Sequence, residues 1–290
     1  MSLTVVPGTN SEELAANVAE ELDADLAEVE HKHFPDGESY IRLEERLDGE
    51  DVAIIQSLHP QNDGLVELQF LLDLVNDVGA EHVTVVIPYF AYSRQDRRYR
   101  EFEAVSSRTI AKTLDALGVD KVVTVNLHDK GVLDFFDAEA VDISAAPVIA
   151  DHYRDEADDP FVLIPDQERA EFGEDIADDL DCEFTWLIKH RDRKTGDIET
   201  TIKEEFDVSG KDVVIADDII STGGTMIKGI DIVQERGSDQ IYTAAVHFLP
   251  SDAYQDIEEA GAEEVVASNS IDTDISQLDL TPVIAEELRK

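Results

Sequence analysis

Asp217-Asp218-Ile219-Ile220-Ser221-Thr222-Gly223-Gly224-Thr225 is the string in this chain whose residue types most clearly suggest chemistry. A Ser/Thr/Gly loop that opens a helix offers free backbone N–H groups, hydroxyls and the positive end of the helix dipole, and so can cradle a phosphate. Carboxylates just upstream can hold sugar hydroxyls or metal-bound water. The acid pair alone reads as an acidic turn, but the whole string describes a site for a phosphorylated sugar, built from Asp217, Asp218, Ser221, Thr222, Gly223, Gly224 and Thr225. A second concentration is basic. Arg94, Arg97, Arg98 and Arg100 fall within seven positions, in a chain with 23 Lys+Arg and a formal charge of −44. Such a cluster needs an anionic target. His128 and Asp166 each follow an apolar, β-rich run, and Lys189 and Arg191 follow the run Phe184 to Ile188. The polar stretch from Asp192 to Thr201, with Gly196, is expected to be a mobile loop. Without further context, Lys189 and Arg191 are two surface cations.

The elements that must position these residues repeat a pattern four times. A helix-like segment ends at glycine, a short step follows, and a β-rich run comes next. The glycines are Gly79, Gly118, Gly237 and Gly261, and the runs start near Val83, Val122, Ile241 and Val265. Glycine suits the left-handed residue that closes a helix. Short apolar β-branched runs are what buried parallel strands require. Helix alternating with strand implies α/β units. Two units fall in each half, and the irregular segment Asp142 to Pro160, with a short helical stretch, separates them. The sequence therefore predicts two similar domains, 1–145 and 146–290, each a mostly parallel sheet flanked by helices. In such sheets ligands sit at the carboxyl ends of strands.

The string from Asp217 to Thr225 resembles the ribose-phosphate signature of the type I phosphoribosyltransferase fold. Other segments narrow the resemblance to the ribose-phosphate pyrophosphokinase family. Phe34-Pro35-Asp36-Gly37-Glu38 is similar to that family's ATP-binding segment, although Pro-Asp-Gly is also an ordinary turn. A phenylalanine there can cover a purine face. His31 and His33 nearby are expected to be surface residues. The run from Ile87 to Arg98 resembles the family string whose Arg-Gln pair, here Arg94 and Gln95, contacts ATP. The resemblance implies that His128 and Asp166 serve the Mg2+ of Mg-ATP. It also implies that Lys189 and Arg191 act on the reacting phosphate from a closing loop, with Arg191 reaching ribose 5-phosphate as well. Gln167-Glu168-Arg169-Ala170 departs from the small, Gly-containing sequence common in the family. The Ser221 to Thr225 form is closer to archaeal members.

The implied reaction moves the pyrophosphoryl group of Mg-ATP to the anomeric hydroxyl of ribose 5-phosphate, giving 5-phosphoribosyl 1-diphosphate and AMP for nucleotide biosynthesis. The alternatives are a phosphoribosyltransferase or a non-catalytic regulatory relative. The family also implies a homo-oligomer, a dimer or higher.

Composition bounds the rest. Sixty-seven Asp+Glu are spread along the chain rather than gathered in a tail. Such charge opposes compaction unless salt screens it, which predicts adaptation to a salty cytoplasm. It argues against a nucleic-acid partner, which needs a basic face. No apolar run is long enough for a membrane helix. The start of the chain is not read as a secretory signal, and the one cysteine, Cys182, suits a reducing cytoplasm.

Overall fold

The structure is a computed structural model that describes residues 2–44, 46–59, 62–191, 198–202, 205–249 and 251–290, with backbone alone at 189–191 and 198–202. The chain forms two compact units, Met1–Ile143 with Ser270–Asp272 and Leu280–Lys290, and Ser144–Asn269 with Thr273–Asp279.

The first unit contains β1 (Leu3–Pro7), β2 (Asp25–Leu26), β3 (Val29–His33), β4 (Ser39–Leu43), β5 (Asp51–Ile55), β6 (His82–Ile87), β7 (Lys121–Val125) and β8 (Glu139–Ile143), with helices α1 (Glu12–Leu22), α2 (Asp63–Asp77) and α3 (Ser106–Ala116). Six strands form a parallel sheet in the order β2-β1-β5-β6-β7-β8, while β3 and β4 make a separate antiparallel hairpin. The central strands β5 and β6 are largely apolar because side chains on both of their faces are buried. Ile54, Ile55, Val85 and Val86 are fully buried, and Leu68, Leu71, Leu72 and Val75 of α2 join the core.

The second unit contains α4 (Ala146–Tyr153), β9 (Phe161–Ile164), α5 (Ala170–Leu180), β10 (Glu183–Arg191), β11 (Ile198–Ile202), β12 (Val213–Ile220), α6 (Gly224–Gln234), β13 (Ile241–Phe248), α7 (Ala253–Ala260), β14 (Glu264–Ser268) and β15 (Ser276–Leu278). Its sheet runs β11-β10-β9-β12-β13-β14-β15, parallel except for the β10–β11 pair. The two sheets share one winding. The first strand lies inside, the second pairs on one side of it, and the chain then returns to the other side. All four glycines of the repeated pattern adopt positive φ, from 77° at Gly237 to 112° at Gly261. A left-handed residue there ends each helix with little strain.

Two segments differ from the linear reading, Ser270–Asp272 and Leu280–Lys290, both of which join the first unit. The last helix, α8 (Thr281–Leu288), belongs to the first unit, where it packs beside α1 and β8. Lys121 Nζ at the start of β7 lies 2.7 Å from a Glu287 carboxylate oxygen. Burial alone would raise the Glu287 pKa, but the Lys121 and Lys290 ammonium groups outweigh it and hold the carboxyl below its ordinary value. A depressed carboxylate contributes stability above its unfolded pKa and loses it as pH falls through the folded one. Docking of α8 is therefore expected to weaken first on the acid side of the ordinary carboxylate range. Amide hydrogen exchange of α8 across a pH series measures this.

Candidate functional site

In the second unit, β9 and β12 are adjacent parallel strands from which the chain winds in opposite directions, so the cleft between their carboxyl ends is the topological switch point of the sheet. Asp166 follows β9 there, and Asp217 and Asp218 lie at the end of β12. The strand extends further than the sequence suggests. It continues to Ile220, so the two acids sit inside it, 7% and 5% exposed. Successive strand residues point to opposite faces, which separates the acids. Asp217 lines a hollow of about 110 Å³ together with Ser221, Thr222, Gly223, Gly224 and Thr225. Asp218 instead receives Arg169, whose Nε donates to it at 2.6 Å, and its other oxygen accepts the Ile219 N–H at 2.8 Å.

The loop then enters α6 at Gly223, left-handed at φ 72°. No side chain caps the helix and no acid occupies its first turn, in a chain with 67 acids. The free N–H groups and dipole of α6 thus face the hollow, as a phosphate site requires. The two glycines differ in purpose. A Cβ on Gly223 would lie 3.2 Å from Ala253 and Ile257, whereas one on Gly224 would meet nothing within 4 Å. Gly223→Ala is expected to cost about 1–2 kcal/mol through its left-handed backbone. Gly224→Ala should keep or slightly raise the melting temperature, because alanine favours helix, yet weaken binding of a sugar phosphate. Thermal melts with ligand titrations separate the two effects.

In the first unit the equivalent switch point, between β1 and β5, is plugged. Gln56 is fully buried there, accepting from the Asn10 N–H at 3.0 Å and donating to the Gly64 carbonyl at 3.3 Å. A Cβ on Gly8 would come within 2.2 Å of its side chain. Polar side chains gather instead beyond β6 and β7. The loop after β6 carries Arg94, exposed and without an ion pair to any described residue, and Gln95, half-buried. Arg97 joins the Asp96 carboxylate at 2.8 Å and that of Asp129 at 3.2 Å, which ties this loop to the turn that holds His128. Leu127 N–H and Thr124 Oγ1 both bond the Asp142 carboxylate, fixing that turn. The structure thereby brings the Arg94-Gln95 and His128 segments together, although 33 positions separate Gln95 from His128.

Phe34 to Glu38 forms the tip of the β3–β4 hairpin. Gly37 has φ 94°, the Phe34 N–H donates to the Glu38 carbonyl at 2.8 Å, and Phe34 is 46% exposed with its ring edge-on to Tyr40. Buried Glu67 of α2 anchors the base of the hairpin, accepting from Ser39 Oγ at 3.0 Å and from Thr9 Oγ1. His31 departs from expectation. Both its ring nitrogens are buried and have no hydrogen-bond partner, so it is not simply a surface residue.

Lys189 and Arg191 are also placed differently. They lie within β10, where Lys189 pairs with Thr200 and Arg191 with Ile198, rather than on a loop after it. Part of the stretch expected to be a mobile loop, from 198 onward, is strand β11, while 192–197 and the side chains of Lys189 and Arg191 lie outside the described residues. Among the described residues no cluster of three or more His, Cys, Asp or Glu could hold a metal. A larger hollow, about 520 Å³, opens at the amino ends of β9 and β10, lined by Asp159, Asp178, Asp181, Cys182, Glu183 and Lys211. Burial pushes the Cys182 thiol up to about 11, so it stays protonated near neutrality and is no nucleophile. Sequence reasoning missed the Arg169–Asp218 pair, the Gln56 plug and the Glu67 anchor. The only signal was the unusual Arg169 itself.

The comparisons with known proteins also divide the chain in two, although the second match begins at Val132, inside the first unit. Residues 3–118 match the N-terminal domain of ribose phosphate pyrophosphokinase, and residues 132–272 match the phosphoribosyl transferase domain. Fold and site thus define a two-domain protein of the phosphoribosyltransferase fold. A ribose-phosphate pyrophosphokinase of Methanothermobacter thermautotrophicus is 40% identical over 96% of this chain and 97% of its own length. That of Sulfolobus acidocaldarius is 38% identical over 99% and 100%. A crystal structure of phosphoribosylpyrophosphate synthetase from Mycobacterium smegmatis superposes with TM-score 0.85 at 30% identity, covering 100% of this chain and 98% of that one. The chain belongs to the ribose-phosphate pyrophosphokinase family. No helix among the described residues is long and apolar enough to cross a membrane.

Proposed function

We propose that this protein transfers the pyrophosphoryl group of Mg-ATP to ribose 5-phosphate, forming 5-phosphoribosyl 1-diphosphate and AMP for nucleotide biosynthesis. One observation carries the reading: the similarity runs through both units and nearly the full length of its relatives. A phosphoribosyltransferase would need only the second. The anomeric hydroxyl of the sugar attacks the β-phosphorus, the bond from that phosphorus to the α,β-bridging oxygen breaks, and AMP leaves with that oxygen while the hydroxyl loses its proton. Such chemistry depends on alignment and on neutralising charge.

The 5-phosphate is assigned to the N–H groups and hydroxyls of Ser221, Thr222, Gly223, Gly224 and Thr225, and the ribose hydroxyls to Asp217 and Asp218. ATP falls to Phe34, Asp36, Gly37, Glu38, Arg94 and Gln95, with exposed Arg94 meeting phosphate oxygens and exposed Phe34 covering the base. Mg2+ arrives with ATP as part of the substrate. It commonly keeps several waters and takes one or two protein ligands, for which His128 and Asp166 are the candidates, so a preformed protein cage is unnecessary. Lys189 and Arg191 offset charge on the transferring group, and Arg191 also contacts the sugar phosphate. The same reading makes the protein a cytoplasmic homo-oligomer adapted to salt.

The direct test is release of AMP from ATP on adding ribose 5-phosphate, with no nucleobase present. Release of pyrophosphate from the sugar diphosphate that requires a nucleobase and no ATP would instead support the phosphoribosyltransferase. A chain that binds both substrates and never turns over would be the regulatory relative. Asp217→Ala is expected to raise the apparent constant for ribose 5-phosphate at least tenfold and leave that for ATP within about twofold, because losing a buried charged hydrogen-bond acceptor costs about 1.5–3 kcal/mol. A rise confined to ATP would show that the hollow holds the other substrate.

A further inference from the structure

Arg169 was singled out in the sequence only because it replaces the small residues common in the family, and the proposed reaction gives it no part. The structure places it against Asp218, which lies at the same strand end as Asp217 but is not among the residues that line the hollow. Its Nε lies 2.6 Å from Asp218 Oδ2, with side chains 15% and 6% exposed. Its Nη1 donates to the Glu168 carbonyl at 3.1 Å, and the Asp166 carboxylate accepts the Glu168 N–H at 3.0 Å. The turn after β9 and the end of β12 are thus joined across the switch point by one ion pair. Asp218 is then held on both sides, Oδ1 by the Ile219 N–H and Oδ2 by the guanidinium. A carboxylate offers about four acceptor positions in all, more than one guanidinium N–H and one backbone N–H occupy. A buried carboxylate with no cation would pay a large desolvation penalty and lose this orientation.

We infer that Arg169 is a positioning residue for ribose 5-phosphate: it fixes the Asp218 carboxylate at the switch point of the second unit, so that the affinity for the sugar depends on a residue outside the signature. This rests on Asp218 binding the ribose, as proposed above.

The experiment titrates ribose 5-phosphate into the intact protein calorimetrically, alongside thermal melts and the AMP-release assay. Arg169→Met is expected to weaken ribose 5-phosphate at least tenfold and leave the ATP constant within twofold. Arg169→Lys should lie between parent and Met, since an ammonium keeps the charge and loses the planar fork. In an Asp218→Asn background, Arg169→Gln should change the sugar affinity by less than threefold. A purely structural Arg169 would lower the melting temperature and leave the affinity of the folded fraction unchanged, which overturns the inference. If Arg169→Met does not fold, the comparison of Asp218→Asn with Asp218→Asn/Arg169→Gln decides. A further loss beyond threefold there shows that Arg169 acts elsewhere and overturns it as well. Absence of AMP release from the parent protein would refute the proposed reaction alone, because the titrations still report on Arg169.

Discussion

Lys189→Ala is expected to fold as the parent does, bind ATP with near-normal affinity and turn over about 100- to 1,000-fold more slowly. Removing one preorganised charge contact at a reacting phosphate costs about 3–4 kcal/mol, which sets that range. The fold should tolerate the change because of where β10 runs. Its first residues, Glu183 to Trp186, pair with β9 in the sheet, whereas Leu187 to Arg191 pair with β11. Lys189 therefore lies on the ribbon part of the strand, past the segment that joins the core. A two-stranded ribbon adds little stability by itself. An interaction made only in the transition state lowers kcat and kcat/KM together when removed. Combining Lys189→Ala with Arg191→Ala should lose less than the product of the single effects, because under the proposed function both would serve the same developing charge. Steady-state kinetics with ATP titrations check all of this. A kcat within threefold of the parent for Lys189→Ala would leave the two residues as surface cations.

Dilution from about 2 M to about 0.1 M KCl is expected to unfold the protein or dissociate an oligomer. The formal charge is −44, from 67 acids and 23 Lys+Arg. Local pairing offsets little of it. Glu30, Glu44 and Asp48 are paired with nearby cations, but all are well exposed, and solvent screens such pairs so that they contribute little. Screening reaches about 3 Å at 1 M salt and about 10 Å at 0.1 M, so dilution lets neighbouring surface acids repel one another. Melting curves by circular dichroism and sedimentation at both salt concentrations measure the effect. Unchanged melting and full activity across the range would mean that the acids are tolerated without salt.

The sequence by itself determined the α/β winding, because helix-ending glycines and buried β-branched runs are local signals. Gly79, Gly118, Gly237 and Gly261 could be placed without tertiary contacts, since positive φ is a property of the residue and its neighbours. The phosphate loop was legible for the same reason: hydroxyls, glycines and a helix start lie within nine consecutive positions. Tertiary structure alone decided how the parts divide. A boundary drawn along the chain could not assign α8 to the first unit, because its partner Lys121 is 166 positions from Glu287. It also could not separate Asp217 from Asp218. Their opposite faces follow from β12 extending to Ile220, which depends on pairing with β13 as far as Phe248. Nor could it show that Gln56 closes one switch point while Arg169 and Asp218 span the other, since an interior amide or ion pair is defined by partners distant in sequence. Local residue preference writes the winding and the loop; burial and long-range charge pairing choose which strand ends become sites.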